Sequence, residues 1–136
     1  MILIDANIFM YAAGADHPHK QPSIEFLEHV ATGAEDAAVD AETLQEILHR
    51  YRAIGRWLEG RAVFDLARKI VPNIVSIDAT VLDLARELLD RHDEIMARDA
   101  LHAAVVLEHG MEGIVSYDRD FDQIHRVRRI EPGKRG

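Results

Sequence analysis

The sequence predicts an α/β fold, a three-layer sandwich around a short, mostly parallel central sheet. Five brief apolar runs with strand character alternate with longer stretches of helical spacing, the pattern of helices packed on both faces of a sheet. A polar residue stands directly after several of these runs, where the ligand crevice of an open α/β sheet lies. Size sets the scale: 136 residues, 48% of them hydrophobic, suffice for one core and are too few for a second.

The elements follow in order. ILI at 2–4 is the first strand, and ANIFMYAAG gives a helix over 6–14. GADHPHKQP, 14–22, breaks the pattern with glycine and two prolines and reads as a loop. A helix over 22–32 leads to AAV at 37–39, the second strand. The helix over 42–54 carries an apolar stripe of Leu44, Ile47, Leu48 and Tyr51, and another helix spans 56–71. IVSI at 74–77 is the third strand, followed by helices over 79–91 and 97–109. GIVS at 113–116 and RVRRI at 126–130 complete the sheet. Residues 1–131 form one domain on this reading, and PGKRG at 132–136 is a flexible tail.

Composition excludes several classes of function. With no cysteine there is no disulfide framework, no thiolate zinc site and no cysteine nucleophile, which suits a reducing compartment and a cytoplasmic location. The N-terminus has no basic region and Asp5 interrupts its apolar run, so neither a secretion signal nor a membrane span is expected. A net charge of −8 argues against a nucleic-acid binder working through bulk positive potential, but not against a nucleic-acid enzyme whose acidic cleft is neutralised by divalent metal. Arginines 50, 52, 56 and 61 lie close in sequence, as do Arg126, Arg128, Arg129, Lys134 and Arg135. A solvated helix face and a frayed tail are the simpler explanations of the two groups. His17 and His19 offer imidazoles to a metal, although surface histidines are far commoner than ligands.

Four carboxylates are candidates for chemistry, each with a structural explanation beside it. Asp99 falls on the flank of an apolar face made by Ala100, Ala103, Ala104 and Leu107, with Arg98, His102 and His109 on the wet side. An aspartate at such a flank needs a partner, a hydrogen bond or a cation, unless it serves only the positive end of the helix. Asp5 follows ILI and is open to the same two explanations, with Asn7 placed to orient it. Asp118 opens the run DRDFD, which fails as a calcium loop because Gln123 and Arg129 stand where glycine and glutamate are required. A helix-capping turn explains Asp120 and Asp122. Glu46 lies opposite the apolar stripe with Glu42, His49 and Arg50, and a salt bridge to Arg50, worth roughly 0.2–0.5 kcal/mol, would account for it.

Taken together, ILIDANIFMYA, TLQEIL, ARDALHAAVVLEHG and IVSYDRDFDQI followed by RRIEP resemble, in this order and spacing, a PIN-domain nuclease. Within that superfamily the chain is similar to the VapC toxins of toxin–antitoxin pairs. The resemblance implies an acidic pocket of Asp5, Glu46, Asp99 and Asp118, with Ser116 as the small hydroxyl residue that precedes the last aspartate. It implies Mg²⁺ or Mn²⁺ as cofactor, RNA as substrate, a homodimer, and a cognate antitoxin that covers the pocket. It also turns the Glu46 face towards the groove, with Glu42 in reserve, and lets Asp120 or Asp122 assist the metal. The segment DHPHKQPS and residues 56–69 map onto no family feature.

On this reading Asp5, Asp99 and Asp118 ligate the metal, because converging carboxylates repel and favour cation binding, and oxygen donors suit Mg²⁺ or Mn²⁺. Glu46 ligates or orients water, and Arg50, Arg52 and Arg56 steer phosphates. Water attack predicts a 5′-phosphate and a 3′-hydroxyl. The alternatives are a non-catalytic binding or signalling module, receiver-like or an inactive PIN scaffold, and an aspartyl phosphatase. A receiver needs an acidic pair after the first strand and a late lysine in the fold, but Asp5 stands alone and the late lysine is Lys134. The phosphatase needs an aspartate where Asn7 stands.

Overall fold

A computed structural model describes residues 1–134. Its sheet has the order β3-β2-β1-β4-β5, built from β1 (Ile2–Ile4), β2 (Ala37–Asp40), β3 (Ile74–Val75), β4 (Ile114–Val115) and β5 (Arg129–Ile130). All four pairings are parallel, so the sheet is wholly rather than mostly so. The central strand feeds both sides. Ile2 and Ile4 enter one core and Leu3 the other, as the two-residue side-chain period of a strand requires.

Helices α1 (Ala6–Ala13), α2 (Lys20–Ala31), α3 (Ala41–Ala53) and α4 (Trp57–Ile70) bury apolar residues on the Ile2 and Ile4 side. On the Leu3 side lie α5 (Ala79–Arg91) and α6 (Ala97–Glu108). These are the three layers. Covering both faces explains why β1 and β4 are continuous apolar runs rather than alternating ones.

Aspartates at or shortly after strand ends start three of the helices. Asp5 accepts from Ala6 N at 2.7 Å, Asp40 from Thr43 N at 2.9 Å and Asp78 from Val81 N at 3.1 Å, filling donors that a first helical turn leaves unpaired. Helix α2 starts at Lys20, before the expected residue 22, because Pro22 fits a first turn where its missing N–H costs nothing. The α4 stretch, which maps onto no motif, packs through a glycine: a Cβ on Gly60 would lie 2.3 Å from Tyr51 Cβ on α3. The third and fifth strands are each only two residues long, shorter than IVSI and RVRRI suggest.

Connectivity fixes where chemistry can sit. The chain steps outward from β1 to β2 and β3, then returns to lay β4 on the other side of β1. Strand order therefore reverses between β1 and β4, and the carboxyl ends flanking that reversal are Asp5 and the segment Ser116–Asp118. No helix of the described residues is long and apolar enough to cross a membrane. Of the predicted tail, Lys134 pairs with Glu131 at 3.0 Å, and Arg135 and Gly136 lie outside the described residues.

Candidate active site

A cleft of about 690 Å³ opens at this carboxyl edge, lined by Asp5, Glu46, Asp99 and Asp118 from four separate segments. Asp5 is buried after β1. Its Oδ2 accepts from Ser116 Oγ at 2.6 Å and weakly from Asn7 Nδ2 at 3.4 Å, while its Oδ1 holds Ala6 N. Ser116 Oγ also accepts from Asp118 N at 2.9 Å, so one buried hydroxyl ties the end of β1 to the segment after β4. Asp118 in turn caps the short 3-10 helix Arg119–Gln123 by accepting from Asp120 N at 2.9 Å.

The acidic groups fall into two sets. Oxygens of Asp99, Asp118 and Asp120 lie within 4.8 Å of one another, as do ligand atoms of Asp5, Glu46 and His102. Burial pushes the Asp99 carboxyl up to about 6, and the negative charges of Asp118, Asp5 and Asp120 add to it. Burial likewise raises Asp5, against the opposing pull of His102 and Ser116. None of the ion pairs among the described residues involves Asp99, Asp118 or Asp120. A concentration of hard oxygen donors with unrelieved negative charge fits a dication such as Mg²⁺ or Mn²⁺.

The second set carries its own cationic partner, and this is where the sequence misleads. His102, expected on the wet side of α6, is 1% exposed. Its Nδ1 lies 2.7 Å from Asp40 Oδ2 and its Nε2 lies 2.8 Å from Glu46 Oε1, with Asp5 Oδ1 at 3.9 Å. Burial alone would lower the imidazole's pKa. The carboxylates of Asp40, Glu46 and Asp5 overcome that and hold it well above its ordinary value. Glu46 therefore turns inward to His102, and no Glu46–Arg50 bridge occurs among the described residues. Asp40 was legible in principle, since it follows AAV as Asp5 follows ILI; His102 sits one helical turn after Asp99.

Other expected residues divide. Arg50 and Arg56 line the cleft, joined by Arg98 and His49. Arg52 does not; its guanidinium lies 5.7 Å from the Trp57 ring in a separate groove with Gln45 and Leu48. Asp122 faces away, bound to Arg129 Nε at 2.9 Å. Arg129 is no part of a frayed end, because it also donates to Glu131 at 3.0 Å and to the Ser116 carbonyl at 3.2 Å. Lys134 and Arg129 hold the Glu131 carboxyl down to about 2. Glu42 is raised by partial burial and by Glu46, but does not line the cleft. His17 and His19 join Tyr11 and Tyr117 in a cluster of rings, His19 stacking on Tyr117 at 3.7 Å, and belong to no metal-binding group among the described residues.

A fold with its crevice at this reversal, and an acidic set at the crevice, defines a class that comparison with known proteins makes specific. Residues 2–127 match the family model described as the PIN domain. The chain is 42% identical over 130 residues to Ribonuclease VapC13 of Mycobacterium tuberculosis, covering 96% of this chain and 99% of that one. Two solved structures share the fold. VapC20 of Mycobacterium tuberculosis, described as a Sarcin-Ricin loop cleaving toxin, superimposes with TM-score 0.75 at 17% identity, covering 91% of this chain and 95% of that one. VapBC2 from Rickettsia felis, bound to a DNA fragment from its promoter, gives TM-score 0.75 at 18% identity over 96% and 98%. The chain belongs to the PIN-domain family, in its branch of VapC ribonucleases.

Proposed function

We propose that this cleft hydrolyses RNA with Asp5, Asp99 and Asp118 as ligands of Mg²⁺ or Mn²⁺, Glu46 as the residue that orients and deprotonates water, and Asn7 and Ser116 in support. The chain is an endoribonuclease of the VapC type, the toxin half of a toxin–antitoxin pair. One observation carries the assignment of residues: four carboxylates from positions 5, 46, 99 and 118 line one cleft at the point where strand order reverses.

A divalent cation held there supplies Lewis acidity, making water more acidic and offsetting charge on the phosphate. Ser116 and the Ala6 N–H aim the Asp5 carboxylate, and each bond favours its charged form against the burial that raises it. Glu46 takes the proton from the attacking water. Arg50, Arg56 and Arg98 line the walls and hold phosphate oxygens, fixing position rather than sequence. Attack by water, not by the ribose 2′-hydroxyl, leaves a 5′-phosphate and a 3′-hydroxyl.

The partner in this reading is an antitoxin protein, supported by the VapBC2 complex of the same fold. A homodimer and a cytoplasmic location belong to the reading as well, carried by the likeness to VapC toxins. RNA cleavage with and without EDTA, by the parent chain and by Asp5→Asn, tests it. Cleavage is expected only for the parent with divalent metal. Products ending in a 2′,3′-cyclic phosphate, or cleavage that survives both EDTA and Asp5→Asn, would remove it.

A further inference from the structure

We infer that Asp40 and His102 form a buried brace that positions the Glu46 carboxylate for the reaction, an inference that rests on the nuclease reading of the cleft. Glu46 projects from the polar side of α3, and a glutamate on an open helix face sweeps through many rotamers. Here its Oε1 is fixed at 2.8 Å by His102 Nε2. The ring has no freedom of its own, being 1% exposed and held at Nδ1 by Asp40 Oδ2 at 2.7 Å.

Asp40 is fully buried, and its other oxygen accepts from Thr43 N at 2.9 Å. The residue that caps α3 thus also anchors the ring that holds a glutamate farther along the same helix. Each ring nitrogen lies within hydrogen-bond distance of one carboxylate oxygen, and Oε2 of Glu46 is left for water. Stability alone does not call for this arrangement, because a buried ion pair is often matched or bettered by apolar side chains of similar volume. The surrounding positions of α6, Ala103, Ala104, Val105 and Val106, show what the core otherwise uses. His102 and Asp40 are positioning residues: they act through Glu46.

A double-mutant comparison tests the brace, with kcat and KM for RNA cleavage measured for His102→Gln, Asp40→Asn, Glu46→Gln and the combinations. His102→Gln is expected to lower kcat by roughly 10–100-fold, the usual effect of residues that orient a metal site, with KM changed much less. In the Glu46→Gln background the same change should cost nothing further, because the group it positions is gone. Asp40→Asn keeps an oxygen for Thr43 N and the side-chain shape, so it reports in the same direction even where His102→Gln fails to fold.

Independently of activity and of metal, NMR of the parent chain should show two exchange-protected ring N–H signals from His102, one of which Glu46→Ala removes. Ring N–H groups open to exchange, losses that multiply in the Glu46→Gln background, or full activity of His102→Gln beside an inactive Glu46→Gln would each overturn the brace and leave the nuclease reading standing. Glu46→Gln as active as the parent would remove the reading of Glu46 and the inference with it.

Discussion

The two acidic sets of the cleft solve the same electrostatic problem in opposite ways. Around Asp5 and Glu46 the protein supplies a cation from its own core, the His102 imidazole, paired at hydrogen-bond distance with Glu46 and Asp40 and lying 3.9 Å from Asp5. Around Asp99, Asp118 and Asp120 no ion pair forms among the described residues, and the Asp99 carboxyl is driven up to about 6. The first arrangement satisfies Glu46 as folded, while Asp5, farther from the ring, stays raised by burial. The second leaves the folded chain with a repulsion that a ligand from solution can relieve, which is where a cation from outside gains the most.

Substitutions in the two sets are therefore expected to have opposite effects on stability. The largest effect expected is on catalysis: Asp99→Asn or Asp118→Asn should lower RNA cleavage by more than the roughly 100-fold that bounds residues behind a metal site. His102→Ala should come next. It strips Asp40, which is fully buried, of its partner, and denaturant unfolding should show a loss of about 3–5 kcal/mol. Asp99→Asn, by contrast, should stabilise the metal-free chain, since it removes a carboxylate held against its neighbours; a metal-free melting temperature below that of the parent would break the comparison.

The pH dependence sharpens it. Asp99 titrates higher in the folded chain, near 6, than unfolded, where the value is 3.8, so the contribution is full below about pH 4 and is lost as pH rises through 6. Metal-free stability should therefore fall across that window and Asp99→Asn should flatten the fall. Mn²⁺ should raise the melting temperature above pH 7 and do little at pH 5. His102 is also raised, so its contribution is full below 6.5 and is lost as pH rises through its higher folded value. The smallest effects belong to the arginines: Arg50→Ala should raise KM a few-fold, while Arg52→Ala, whose side chain lies over Trp57 outside the cleft, should leave it unchanged.

Much of the fold was legible because its signals are local. Strands buried on both faces read as apolar runs, helices as spaced stripes, and Asp5 and Asp118 as polar residues at strand ends. What escaped depends on contacts between distant segments. His102 looked solvent-facing because α6 was assigned one wet side, whereas the helix is buried almost all round between sheet and α5. Glu46 gave no local sign of its inward turn, since the partner that draws it lies 56 residues away. Arg52 was separable from Arg50, because side chains two apart on a helix leave it roughly 200° apart; the packing of Trp57 then shows which of the two sides lies away from the cleft. The 56–71 helix lacked a motif because its contact with α3 rests on the absence of a side chain at Gly60.

The most direct measurement is an anomalous difference map from crystals of the chain grown with Mn²⁺. A peak bound by Asp99 and Asp118, absent from crystals of Asp99→Asn, is the result predicted. A chain that cleaves RNA in the same Mn²⁺ solution while the map shows no ion beside Asp99 would contradict the account.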